Sequence, residues 1–216
     1  MCSFRIEHAH SNNLELPLAQ SAELYPFAYT LEERYDLEHY LRPYHDDPDG
    51  ELTAWARQFI RSDGPTGTRD LLVARAIAQM VADVLVHRDE EGTQSPVETL
   101  RSGSGSCRDF TLLMMEAARR LGFATRFVSG YLYDPALDGG ESDVVGAGYT
   151  HAWVQVYLPG AGWVPFDPTN NLLGGTQLIR VGIARDPSQA APISGSWYGA
   201  GNDYLGMTVD VTVCRV

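Results

Sequence analysis

The chain of 216 residues contains no lysine, so arginine supplies all of its positive side-chain charge. Sixteen basic residues face 28 acidic ones, for a net charge of -12, and this balance argues against a partner held through phosphate contacts, whether nucleic acid or an anionic membrane surface. Base composition that favours arginine codons would by itself account for the absence of lysine. The absence would also suit an enzyme that joins proteins through lysine amines. Cysteine is scarce. Cys2, Cys107 and Cys214 are too few and too odd in number for a disulfide framework, and no pair has the CxxC spacing of a zinc or redox site. A reducing, cytoplasmic compartment is the simplest expectation. The first 21 residues carry polar or charged groups at every second or third position and lack the apolar segment of a signal peptide. Nowhere does an apolar run approach the roughly 18 residues that a membrane-spanning helix needs.

What is present reads as a short mixed segment followed by helices and then strands. Ser3 to His10 is a strand candidate, and a second apolar stretch around Leu14 to Leu18 follows the Ser11-Asn12-Asn13 turn. Residues 26–50, with Pro26, Pro43, Pro48 and the Asp46-Asp47 turn, read as an irregular Tyr-rich connector, which divides the chain into 1–48 and a main domain over 49–216. A helical period begins after Asp49, with Leu52, Trp55, Ala56, Phe59 and Ile60 on one face and Gly64-Pro65 as the stop. Thr68 is a candidate cap for a second helix running to His87, and a loop over 92–105 leads into a third from Cys107 to Gly122. The period then falls to two: Phe123 to Tyr133, Ala152 to Leu158, Trp163 to Phe166 and Met207 to Val213 read as strands. Pro159-Gly160-Ala161-Gly162 joins two of them as a hairpin loop, and the whole predicts an α+β domain with helices packed on an antiparallel sheet.

Three residues carry candidate chemistry. Cys107 stands where a glycine-rich loop enters a helix, and the free amides and positive dipole end there favour a thiolate. Read alone, it fits better as a buried, inert small hydrophobe, which is what most free cysteines are. His151 opens one strand and Asp167 closes its hairpin neighbour. A simple ladder sets Asp167 opposite residues near Val154, so contact with His151 needs a diagonal pairing or a bulge. A nucleophilic thiol requires a base to share its proton, and that base requires an acceptor that holds its tautomer; Cys, His and Asp are the residue types for these roles. Other residues have simpler readings. His8 and His10 near Cys2 lack a fourth ligand and are expected on the surface, so neither metal nor cofactor is expected. Asp109 reads as a dipole partner, Asp46-Asp47 as a solvated turn, and Trp153 and Trp163 as core or site wall.

The conjunction has a family likeness. Ser95-Pro96-Val97-Glu98-Thr99-Leu100 with Gly105-Ser106-Cys107-Arg108-Asp109-Phe110, the run from Arg119 to Tyr131, His151-Ala152-Trp153-Val154-Gln155-Val156, and Gly162-Trp163-Val164-Pro165-Phe166-Asp167-Pro168-Thr169-Asn170 together resemble the bacterial transglutaminase-like superfamily. The likeness covers about residues 50–215 and keeps the order Cys, His, Asp. The resemblance implies the papain-like core of cysteine peptidases, with Cys107 as nucleophile, His151 as general base and acid, and Asp167 as the orienter of His151. It implies an acyl-transfer enzyme acting on amide or peptide bonds of a protein or peptide substrate through a thioester. Hydrolysis is the expectation; protein-glutamine transamidation and a non-catalytic binding domain of the same fold are the alternatives. Two positions depart from the family pattern: Arg108 stands where Gln is common after the Cys, and Gln155 where an acidic residue is frequent. Arg185-Asp186-Pro187 with Pro192 also resembles a family stretch. Members of this kind usually carry a longer N-terminal β region, of which Phe4 to Leu18 would be the tail.

Overall fold

The computed structural model describes residues 5–7, 16–81, 93–139, 149–191, 196, 198–200, 203 and 211–214, and for 76–81, 137 and 138 the backbone alone. The strand read over Ser3 to His10, with Cys2, His8 and His10, lies largely outside these residues. So do the second helix beyond Val81 and most of the strand read over Met207 to Val213.

Five strands form one antiparallel sheet in the order β6-β5-β4-β3-β7: β3 Thr125–Leu132, β4 Thr150–Leu158, β5 Gly162–Asp167, β6 Leu172–Leu173 and β7 Leu178–Ala184. A separate two-stranded pair joins β1 Leu24–Tyr25 to β2 Thr66–Gly67. The central helix α5, Cys107–Arg120, lies against β3 and β4. Its Leu112, Leu113, Met115 and Ala118 share a core with Phe127, Ala152, Val154, Val156 and Leu158, whose period-two spacing turns every second side chain of β4 toward the helix. Helix α2, Glu51–Arg57, adds Leu52 and Ala56 to this core, and α3, Thr68–Val81, adds Leu71 and Leu72. Each buried Leu, Met, Val or Phe side chain of this core contributes about 1.5–3 kcal/mol by leaving water. The α+β architecture with helices on an antiparallel sheet is the one expected. Among the described residues no helix is long and apolar enough to cross a membrane.

Several local readings need correction. The connector over 26–50 holds a helix, α1, Leu31–Leu41, started by a capping box: Thr30 Oγ1 accepts from Glu33 N–H, and Glu33 Oε2 accepts from Thr30 N–H. Only Leu37 of α1 is fully buried, so no apolar stripe announces it. The loop over 92–105 likewise holds α4, Pro96–Ser102, with Ser95 and Glu98 as its capping box and Pro96 at its first turn. Thr68 opens α3, but its buried hydroxyl has no hydrogen-bond partner. The strands β6 and β7 have no counterpart in the sequence reading. β7 exposes Val181 and Ile183, so it shows neither alternation nor a continuous buried run.

Residues 16–48 lie against the same core. Tyr29 donates to Tyr157 O at 2.9 Å and accepts from Ala124 N–H at 3.0 Å, and burial raises its pKa above the ordinary phenol range. The β4–β5 loop meets this segment so closely that a Cβ at Gly160, itself at φ +87°, would lie 2.5 Å from Ala19 N. The buried Glu116 carboxylate of α5 accepts from the backbone N–H groups of Tyr44 and His45, and forms ion pairs with Arg119 at 2.7 Å and Arg120 at 3.0 Å. Arg119 in turn donates to the carbonyls of Tyr40, Thr125 and Arg185. Removing one member of such a buried network leaves charge unpaired. Glu116→Ala is therefore expected to lower unfolding free energy by about 3–5 kcal/mol, read by urea denaturation. A loss below about 1 kcal/mol would show that the network is dispensable.

Candidate active site

The start of α5 is built by short-range hydrogen bonds. Gly103, in the left-handed region at φ +62°, ends α4 and turns the chain. Ser106 then caps α5: its Oγ accepts from Asp109 N–H, while Asp109 Oδ2 accepts from Ser106 N–H at 2.7 Å. Asp109 is fully buried, and its Oδ1 accepts from Gln94 N–H at 2.7 Å, so it anchors the approach loop as well as complementing the dipole. This fixes Cys107 as the first residue of α5, half-buried, with its backbone N–H among those that have no carbonyl inside the helix.

His151 and Asp167 meet as the diagonal geometry requires. Val154 pairs with Phe166 across β4 and β5, so Asp167 stands one step further on, and His151 two residues beyond the position that step would face. His151 Nε2 lies 2.8 Å from Asp167 Oδ2, and both side chains are fully buried. Asp167 is itself held from the turn that follows: Oδ1 accepts from Thr169 N–H and Asn170 N–H, and Oδ2 from the Asn170 carboxamide at 2.9 Å. Asn170 is thus a functional neighbour that the residue-by-residue reading passed over. Its signal was present in Asp167-Pro168-Thr169-Asn170, a stretch in which the Asp side chain bonds its own turn. The Trp153 indole stacks on the His151 ring, with centroids 6.1 Å apart and planes at 26°, and walls the pair from water.

The protonation of His151 is set by competition. Burial, the largest single effect, disfavours the imidazolium; the Asp167 charge and hydrogen bond, with a smaller contribution from Cys107, outweigh it and push the pKa up to about 10. Nε2 faces Asp167, so Nδ1 is the ring nitrogen left for proton exchange; it is buried and has no hydrogen-bond partner within the fold. His151 and Asp167 are thus in direct contact, and the Cys107 thiol is among the groups that raise the His151 pKa.

The other candidates lie elsewhere or act differently. Cys214 is exposed. Asp46 is exposed as expected, but Asp47 is no solvated turn residue: it accepts from Leu52 N–H and from Thr53 N–H and Oγ1, and sits 3.4 Å from Arg120. Gln155 accepts from Arg126 Nε at 2.8 Å, and the Arg126 guanidinium lies 4.1 Å above Trp163, which belongs to an aromatic cluster with Tyr40 and Tyr157.

Two consequences are measurable. An imidazolium sustained by Asp167 should titrate near pH 10 in an NMR pH series of the His151 ring, and in Asp167→Asn the midpoint should fall toward the ordinary value of about 6.5. Because the folded pKa is the higher one, the stability this pair adds is complete below about pH 6.5 and is lost as pH rises through about 10. Gly130, which pairs with His151 beside a bulge in β3, has no room for a side chain: a Cβ there would lie 2.1 Å from Ile179 O and 2.7 Å from the Trp153 ring. Gly130→Ala should displace Trp153, lower Tm and return the His151 midpoint toward its ordinary value; a parent-like Tm and titration would refute this.

Known proteins resemble this chain in sequence and in fold. The sequence model of the transglutaminase-like superfamily matches residues 53–168, which include Cys107, His151 and Asp167. An uncharacterized protein of Mycobacterium leprae is 36% identical over 118 residues, 55% of this chain and 41% of its own. An uncharacterized protein of Mycobacterium tuberculosis is 36% identical over 120 residues, 53% of this chain and 38% of its own. The matched region thus spans about two-fifths of the length of these curated relatives. Among solved structures, a candidate cysteine protease from Cytophaga hutchinsonii shares the fold with a TM-score of 0.58 at 21% identity, over 82% of this chain and 53% of its own. With more than half of its length matched by the family model and the expected α+β core in place, the chain belongs to the transglutaminase-like superfamily.

Proposed function

We propose that the protein is a cysteine-dependent acyl-transfer enzyme that hydrolyses amide or peptide bonds of a protein or peptide substrate. The observation that carries this reading is the buried His151–Asp167 bond at 2.8 Å on Nε2, which leaves Nδ1 free for proton exchange with a thiol at a helix start. Asp167 holds a proton on His151, and a helix N-terminus is a setting in which thiols act as nucleophiles, so Cys107 is assigned as nucleophile and His151 as general acid.

In the reaction, Cys107 Sγ attacks the carbonyl carbon, a C–S bond forms, and the carbonyl π pair moves onto oxygen. The Cys107 backbone N–H at the start of α5 is the donor this reading assigns to that oxyanion. Collapse breaks the C–N bond, His151 delivers its proton to the leaving nitrogen, and a thioester remains. Neutral His151 then takes a proton from water as the water oxygen attacks, the C–S bond breaks, and the thiolate and imidazolium are restored with release of the acid. Asp167 keeps the ring oriented and does not itself carry the proton. An amine in place of water would give transamidation by the same steps. Cys107 is only half-buried, so water reaches the thioester without a dedicated path, and this favours hydrolysis.

Cys107→Ala should abolish turnover and leave the fold intact, whereas Cys2→Ser and Cys214→Ser should retain it. The dependence of kcat/KM on pH should be bell-shaped, falling on the acid side as the thiol takes its proton and on the alkaline side as His151 loses its own near pH 10. Substrate class is read by mass spectrometry after incubation with a peptide library and a labelled primary amine. Free acid should exceed labelled amide, and EDTA should leave the rate unchanged. An excess of labelled amide would establish the crosslinking reading instead; no product from the parent would favour a binding domain.

A further inference from the structure

Asp167 is fully buried, so its charge must be met by groups of the fold. A carboxylate offers about four lone-pair sites, two on each oxygen. Those of Oδ1 go to backbone, Thr169 N–H at 2.9 Å and Asn170 N–H at 3.3 Å. Those of Oδ2 go to side chains, His151 Nε2 at 2.8 Å and the Asn170 carboxamide Nδ2 at 2.9 Å. Thr169, the other polar side chain of the 167–170 turn, takes no part, since its buried Oγ1 has no hydrogen-bond partner among the described residues. The oxygen that faces the imidazole is therefore shared with a second donor, while the orientation of the carboxylate is secured from the other oxygen.

We propose that Asn170 is a positioning residue that acts on His151 through Asp167: its carboxamide competes with the imidazole for Oδ2 and so limits how firmly the carboxylate holds the proton that His151 delivers. The proposal rests on the reading of His151 as the general acid. The titratable groups acting on His151 are Asp167 of β5 and, more weakly, Cys107 at the start of α5; β3 sets Gly130 opposite it and β4 sets the Trp153 indole against its ring, and neither of these titrates. A hydrogen bond donated to a carboxylate favours the charged form and lowers its pull on any other proton at the same oxygen. In a buried site no solvent dilutes that effect. Burial lowers the His151 pKa and Asp167 raises it to about 10, so a carboxylate freed of its competitor would hold the proton of the acid tighter still. The backbone donors to Oδ1 remain whatever side chain stands at 170, so loss of the carboxamide leaves Asp167 oriented and removes the competitor alone. The sign separates this from packing. Loss of a competitor raises the His151 midpoint, whereas a carboxylate that turns away for want of support lowers it.

The test is an NMR pH series of the His151 ring in the full chain, with Tm measured alongside. Asn170→Leu fills the place of the carboxamide without a donor and should raise the midpoint by about one unit above the parent's, opposite to the fall expected in Asp167→Asn. Asn170→Ala should move it the same way, by less where water replaces the lost donor, and decides the matter if the Leu variant does not fold. At pH 7 the proton between His151 Nε2 and Asp167 Oδ2 should resonate further downfield in both variants than in the parent, which reads the same bond without alkaline conditions. Turnover should show kcat reduced about three- to tenfold with KM near the parent's, as the acid gives up its proton less readily. A midpoint at or below the parent's in the folded variants, or a bridging proton upfield of the parent's, would overturn the proposal. Turnover that survives Cys107→Ala would instead remove the catalytic reading on which it rests, whatever the titrations show.

Discussion

The buried carboxylate of Glu116 is the point at which the chain is tied together. Its two oxygens draw in Arg119 and Arg120 from the same helix and the backbone of Tyr44 and His45 from the N-terminal segment, while Arg119 reaches on to β3 and to Arg185. Burying a charged group in an apolar core is costly unless every lone pair and N–H is used, and here nearly all of them are. The network therefore does more than add stability. It fixes where α5 lies on the sheet, and since Cys107 is the first residue of α5, it fixes where the thiol stands relative to β4 and β5.

At the far end of the same helix the problem is reversed, because groups there must stay reactive. His151 is buried enough for its charge to be disfavoured, and Asp167 must restore what burial removes. Asp167 can do so because it is itself oriented by the 167–170 turn, and Trp153 keeps solvent from weakening the pair. Gly130 makes that wall possible by giving up its own side chain volume to the indole. A site of this kind consists less of three residues than of the close packing that keeps their spacing.

The shared fold and the family match concern this core. The curated relatives extend well beyond the matched region, and the solved structure from Cytophaga hutchinsonii is nearly twice as long as the part aligned. Cys107, His151 and Asp167, on which the proposed reaction rests, all lie within the matched region.

What the sequence by itself determined was the class of fold, because it is written in local periodicity; the three candidate residues were singled out by the family resemblance added to their local chemistry. The apolar spacing from Phe110 to Leu121 specifies α5, the alternation in Ala152 to Leu158 specifies β4, and a thiol after Gly105-Ser106 announces a helix start. Helix α1 was hidden because its residues bury too little to leave a stripe, and α4 because Ser and Gly around it read as loop although Ser95 and Glu98 form a capping box. Only the tertiary structure decided what depends on contacts far apart in the chain: that β7 adds an outer strand beside β3, that Asp109 and Asp47 serve as buried anchors, and that Arg108 turns to Pro187. Register across the hairpin belongs to the same group. A ladder counted from the loop brought Asp167 near His151 but left a diagonal contact open, and the side-chain hydrogen bond closed it. Local rules fix which residues can pair; which of them do pair depends on how the buried charges of the whole core are satisfied.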